Sequence, residues 1–206
     1  MIKTMVDTVE ELYKKFPDEG KEPILYLYVA EAVEDVNLEQ AKPIYKRIKE
    51  LGTDEWKERA EGCLRRLDMI GKPVQIKYKA LDGRNIDLAK LKGKVVLVDF
   101  WATWCGPCMQ ELPNVVKVYK KYHKKGFDII GINLDLDKGQ LKGVMKESGM
   151  TWAQYFDGTG WDNKFAKQFG IPSIPSMWLI DKKGILVDLN ARNKLEENIE
   201  KLLAEK

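Results

Sequence analysis

The stretch Val95 to Met109, V-V-L-V-D-F-W-A-T-W-C-G-P-C-M, constrains this chain more than any other. Its first half is a run of β-branched and apolar residues too short to cross a bilayer, and it reads as a buried parallel strand from Lys94 to Trp101. Cys105 and Cys108 follow, separated by Gly106 and Pro107. Beyond Pro107 the apolar period becomes helical, with Leu112, Val115, Val116 and Tyr119 on one face. Pro107 stands where a first helical turn tolerates proline, because the N–H it lacks would have no intrahelical partner. The next apolar run, Phe127 to Asn133, is a second short strand. Strand, helix and strand form a βαβ unit, so the two strands are expected to be parallel neighbours.

The rest of the chain follows from turn and cap signals. Leu141 to Ser148 reads as a helix closed by Gly149, Thr151 to Phe156 as a short strand, and Trp161 to Phe169 as a helix capped by Gly170. Ser176 to Ile180 and Ile185 to Leu189 flank the turn Asp181-Lys182-Lys183-Gly184, and Leu195, Ile199, Leu202 and Leu203 mark a C-terminal amphipathic helix. Upstream, Val74, Ile76 and Tyr78 alternate with polar residues. After the Leu81–Asn85 turn, Ile86 and Leu88 resume the alternation, which predicts a leading β-hairpin. Gly71-Lys72-Pro73 is the domain boundary, separating a helical domain, 1–70, from an α/β domain, 72–206.

Residues 1–70 predict four helices. The first carries Met5, Val9, Leu12, Tyr13 and Phe16 and breaks at Pro17 and Gly20. The second opens at Pro23, with Ile24, Leu27, Tyr28 and Ala32 on its apolar face. Asn37 and Gln40 resemble a capping box for the third, whose apolar positions are Leu38, Ala41, Ile44, Tyr45, Ile48 and Leu51. Pro43 inside that run predicts a kink or a late start. Gly52 and Thr53 read as a C-cap and the next N-cap, and Trp56, Ala60, Cys63, Leu64 and Leu67 as the core face of the fourth helix.

Charge narrows the partners. Residues 1–70 carry 12 basic and 16 acidic side chains and residues 71–206 carry 23 and 16, net −4 against +7. The lysines are scattered, as on a solvated face, and predict no nucleic-acid partner. No apolar run is long enough to cross a membrane. The first residues show no apolar core and no small-residue cleavage pattern, which fits a cytosolic chain or one whose targeting segment has been removed.

Three cysteines exclude a disulfide-rich scaffold. A zinc site needs about four ligands. Beyond the pair the chain offers only Cys63, on a core face of the other domain, and His123, its single histidine, so no metal is expected. The remaining reading is redox chemistry. A helix N-terminus presents unpaired N–H groups and the positive end of a dipole, which lower a thiol from its free pKa of about 8.5. Cys105 precedes the helix and is expected to be the exposed attacking sulfur. Cys108, one turn in, is expected to be the shielded resolving one.

Asp99 is an ionisable group inside a buried strand, six residues before Cys105. It is either placed to take a proton from Cys108 or turned to solvent at the strand end. Glu111, three residues after Cys108, either assists that transfer or serves the helix dipole. Pro175, entering a strand after Ile174, marks a specified turn, sometimes cis.

Val98-Asp99-Phe100-Trp101-Ala102 with Trp104-Cys105-Gly106-Pro107-Cys108 resembles the thioredoxin superfamily. The leading hairpin with Asp82-Gly83, the Leu91-to-Val95 stretch, Glu111-Leu112-Pro113, the segment Gly149 to Gly170 and Pro175 to Gly184 are similar to the TlpA and ResA type of membrane-anchored or periplasmic thiol-disulfide oxidoreductase. The resemblance covers about residues 72–206. It implies a thioredoxin-like α/β fold, with a central mixed sheet flanked by helices, preceded here by a small all-α domain. It implies Cys105 as nucleophile, Cys108 as resolving thiol and Pro175 as a cis-proline facing them. Trp104, Gly106, Pro107, Ile174 and Pro175 are then the residues that meet substrate. The redox-active Cys105–Cys108 disulfide serves with no cofactor. Expected partners are protein disulfides and an upstream thiol donor, and the expected compartment is extracytoplasmic, with the cytoplasm as the alternative. Asp99 departs from many TlpA-like chains, which carry an amide there. Gly106-Pro107 is similar to the reducing members. Two other readings fit the same pair: a redox-sensing adaptor without turnover, and a thiol peroxidase.

Overall fold

The computed structural model describes residues 2–15, 23–34 and 36–205, and the chain divides into two compact units. One comprises Met1–Asp68 with Gln168–Pro172, the other Met69–Lys167 with Ser173–Lys206.

The first unit holds helices α1 (Ile2–Lys15), α2 (Ile24–Glu34), α3 (Leu38–Leu51) and α4 (Asp54–Leu67). Asn37 caps α3 by accepting from the N–H groups of Glu39 and Gln40, and Gly52 closes it by donating to Ile48 O. The helix runs through Pro43 from Leu38, so it does not start late.

The expected inward face of α2 is corrected. Tyr26, Leu27, Ala30 and Val33 are buried, whereas Tyr28 and Ala32 face outward. The segment I-L-Y-L-Y-V-A-E-A-V-E is apolar almost all round, so its period singles out no face and packing decides. Leu12 on α1 is likewise exposed. Phe16, Pro17 and Gly20, and the side chain of Tyr13, lie outside the described residues.

On α4, Ala60, Cys63 and Leu67 point inward as expected, Trp56 and Leu64 are half-buried, and Arg66 is buried with them. A buried guanidinium needs a partner. Arg66 Nη2 lies 2.6 Å from Glu34 Oε1, which also accepts from Tyr45 Oη. Gly170 belongs to this unit because it meets Gly62 backbone to backbone: a Cβ on Gly62 would come within 2.9 Å of Gly170 Cα.

In the second unit, β1 (Lys77–Lys79) and β2 (Asn85–Asp87) form the antiparallel leading hairpin, with Tyr78 opposite Ile86. The main sheet contains β3 (Val95–Trp101), β4 (Phe127–Asn133), β5 (Ala153–Phe156), β6 (Ser176–Ile180) and β7 (Leu186–Asp188), in the order β5-β4-β3-β6-β7. β3 is parallel to β4, and β4 to β5, while β6 is antiparallel to both β3 and β7. Helices α5 (Gly106–Tyr122), α6 (Lys138–Ser148), α7 (Lys164–Phe169) and α8 (Leu195–Ala204) flank this mixed sheet.

All seven residues of β3 are buried, as its unbroken apolar run requires of a central strand. The helix expected over Trp161 to Phe169 is split. Gly160–Asp162 form a 3₁₀ turn, and α7 starts at Lys164 because the Asn163 side chain accepts from the N–H groups of Phe165 and Ala166.

Candidate active site

Two pairings build the site. The parallel match of β3 with β4 brings Trp101 level with Asn133, so the loops leaving both strands share one end of the sheet. The antiparallel match of β3 with β6 sets Phe100 opposite Ser176, which brings Ile174-Pro175 to that same end.

Cys105 is the N-cap of α5. Its backbone is extended, and its sulfur lies 3.2 Å from the Cys108 N–H. Gly106 opens the helix and Pro107 occupies its first turn, as the missing N–H allows. Cys105 and Cys108 are joined in a disulfide. The Ile174–Pro175 bond is cis, and the Ile174 carbonyl oxygen stands 3.6 Å from Cys105 Sγ. Trp104 is 52 % exposed beside the pair, and Ile174 and Pro175 are half-buried.

The expected contrast in exposure between the cysteines is corrected: Cys105 is 5 % exposed and Cys108 4 %. In the disulfide form the two sulfurs are bonded to each other, and the Ile174 carbonyl sits against Cys105 Sγ.

Asp99 is buried and not turned to solvent. It is 5 % exposed, opposite Gly131 on β4 and Met177 on β6, and its Oδ1 has no hydrogen-bond partner among the described residues. Burial pushes its pKa up to about 7, and the Glu111 charge adds to the effect. Such a carboxyl exchanges a proton near neutrality, as a general acid or base must. Glu111 is held in place: Asn114 Nδ2 donates to Oε1 at 2.7 Å and Arg192 Nε lies 3.5 Å from Oε2. The structure thus gathers Cys105, Cys108, Ile174 and Pro175 directly, and couples Glu111 to Asp99 electrostatically.

A buried network missing from the sequence reading fixes the loop before the cysteines. Asp135 Oδ1 accepts from Thr103 N–H at 2.9 Å and from Thr103 Oγ1 at 2.8 Å. Asn133 Nδ2 donates to Asp135 Oδ2, and Asn133 Oδ1 accepts from the Asp135 N–H. The available signal was a pair of polar residues closing an otherwise apolar strand at its carboxyl end, where binding loops gather. A second support is Trp101 Nε1, which donates to Gln154 Oε1 at 3.0 Å. Among the described residues, no group of three or more His, Cys, Asp or Glu side chains is arranged to hold a metal.

With the disulfide at a helix N-terminus and the cis-proline turn against it, comparison with known proteins becomes specific. The sequence profile of Redoxin matches residues 70–203. The chain belongs to the Redoxin family. The thiol-disulfide oxidoreductase ResA of Bacillus thuringiensis (strain Al Hakam) is 33% identical over 120 residues, 58% of this chain and 68% of that protein. The ResA of Bacillus subtilis (strain 168) is 31% identical over 106 residues, 52% of this chain and 58% of that protein. The thioredoxin domain of a thiol-disulfide oxidoreductase from Bacteroides vulgatus superposes with a TM-score of 0.58 at 29% identity, covering 65% of this chain and 97% of that domain. This Redoxin chain is therefore a ResA-like oxidoreductase of the thioredoxin superfamily, with a thioredoxin-like fold behind an N-terminal helical region. Among its described residues, no helix is long and apolar enough to cross a membrane.

Proposed function

We propose that this protein reduces disulfides in other polypeptides by thiol–disulfide exchange through Cys105 and Cys108. The observation that carries the reading is the Cys105–Cys108 disulfide at the N-terminus of α5, with the Ile174 carbonyl 3.6 Å from Cys105 Sγ. In the reduced protein the Cys105 thiolate, stabilised by the helix N-terminus, attacks one sulfur of the substrate disulfide. That S–S bond breaks, a mixed disulfide forms, and the other substrate sulfur leaves as a thiolate that takes a proton. Asp99 accepts the Cys108 proton, and the Cys108 thiolate attacks Cys105 Sγ. The second substrate sulfur departs, so the substrate gains two electrons and the protein becomes the Cys105–Cys108 disulfide.

The cis Ile174–Pro175 turn offers its carbonyl edge to the substrate backbone, beside Trp104. An upstream dithiol restores the reduced pair by the same exchange. The electrons pass through the Cys105–Cys108 pair itself, with no separate cofactor in the scheme. The ResA likeness supports an extracytoplasmic site of action, checked by whether a membrane-impermeant thiol reagent labels the reduced pair in intact cells. The mechanism is tested with Cys108→Ser. Mixed disulfides at Cys105 should accumulate, and should vanish when Cys105 is also replaced by Ser. Undiminished disulfide reduction by the Cys105→Ser variant overturns the reading.

A further inference from the structure

The exposed apolar surface next to the cysteine pair extends beyond Trp104. Trp104 precedes Cys105 in the chain, and its indole lies 6.2 Å, centroid to centroid, from that of Trp161. Both are open to solvent, Trp161 being 47 % exposed. Leu136, 72 % exposed, lies over Gly160, where an added Cβ would come 3.2 Å from Leu136 Cδ2. Three large apolar side chains thus stand outward around one end of the sheet, where exposed patches mark contact with partners.

The loops that carry this surface are tied by hydrogen bonds. Asp157 ties the turn that carries Trp161 by accepting from Thr159 N–H and Oγ1, Asn163 Nδ2 and the Lys164 N–H. Leu136 follows Asp135, which is anchored to Thr103. Rigid aromatic side chains bind at low entropic cost. Two of the neighbouring acidic groups are engaged: Asp162 pairs with Lys167 at 2.6 Å, and Asp157 is bonded within its turn. The chemistry of the face is apolar.

We infer that Trp161 and Leu136, continuing outward from Trp104, form a docking surface for an extended polypeptide that carries a large apolar side chain within about three residues of its disulfide-bonded cysteine. The inference rests on the reduction proposed above. Any such substrate must bring a sulfur to Cys105. At about 3.3 Å per extended residue, its neighbouring residues pass over the ground that Trp104 begins. A disulfide between bare cysteines, or between cysteines flanked by glycine, leaves that ground uncovered.

The test compares two disulfide-linked peptide dimers of equal charge, one with Phe and one with Gly two residues from the cysteine, reduced by the wild-type protein and its variants. The wild type should prefer the Phe peptide in kcat/KM by about tenfold, or about 1.4 kcal/mol. Trp161→Ala should bring that ratio close to one, Leu136→Ser should lower it, and Trp161→Phe should keep most of it. A wild-type ratio near one, or a Trp161→Ala variant that slows both peptides equally, overturns the inference while leaving the proposed reduction intact. So does concentration-dependent self-association that Trp161→Ala abolishes, which gives the surface to a second copy of the chain. Failure of the wild type to reduce either peptide overturns the proposed reduction itself.

Discussion

Replacing Asp99 by asparagine should change how stability depends on pH, and the size of the change follows from the burial. A carboxyl that ordinarily ionises at 3.8 keeps its proton here to about 7, so ionising it in the folded chain costs about 4 kcal/mol. The folded pKa is raised. Between about pH 4 and pH 7 the unfolded chain therefore binds fewer protons than the folded one, and stability falls as pH rises across that window. The carboxamide of the Asp99→Asn variant has no such proton to lose.

The difference in unfolding free energy, variant minus wild type, should therefore climb by about 4 kcal/mol from pH 4 to pH 8 and be flat above. Titrating groups that do not interact with Asp99 are common to both proteins and drop out, and the Glu111 contribution is secondary to burial. The constant cost of burying the amide shifts the curve without tilting it. The assay is urea unfolding of the disulfide forms at a series of pH values, followed by the fluorescence of the buried Trp101, Trp152 and Trp178. A difference constant to within about 1 kcal/mol across the range, or one that declines, refutes the argument that desolvation holds this proton.

Glu111→Gln should move the same stability decline to lower pH, because the repulsion that supplements burial is gone. An infrared carboxyl band that titrates at an unaltered pH would show that the Glu111 charge does not reach Asp99. Thr103→Val removes the hydroxyl that donates to Asp135 Oδ1 and should cost about 2 kcal/mol. A loss below about 0.5 kcal/mol in denaturant would remove the loop anchor from the account. Gly131→Ala sets a methyl group into the Gln154 carboxamide, which carries the bond to Trp101 Nε1. It should destabilise by about 1–3 kcal/mol, visible as a lowered denaturation midpoint, and wild-type stability would show that Gln154 moves freely.

Much of the fold was legible because local rules and the global arrangement agree. The Phe127–Asn133 and Ser176–Ile180 strands lie where their apolar runs begin and end, and Asn37 and Gly52 cap the helix they were read to cap. The misses have two causes. Where nearly all positions are apolar, as in α2, period carries no information about which side meets a neighbour, so Tyr28 ended outside. Where a polar side chain serves as a cap within an apolar run, as Asn163 does, an expected helix starts later.

The cysteine pair and its place at a strand–helix junction were determined by the sequence alone, whereas for Asp99 the sequence allowed either burial or a turn to solvent. The pair and its junction are properties of neighbours along the chain, set by backbone geometry within a few residues. Only the tertiary structure decided how Asp99 is surrounded, because desolvation depends on what packs against β3 from β4, β6 and α5. It alone brought the Ile174 carbonyl to Cys105, tied Thr103 to Asp135, paired Glu111 with Arg192 and set Trp161 beside Trp104. Each of these joins residues more than thirty positions apart in the chain. Sheet register and helix packing choose such contacts, and no local pattern encodes them.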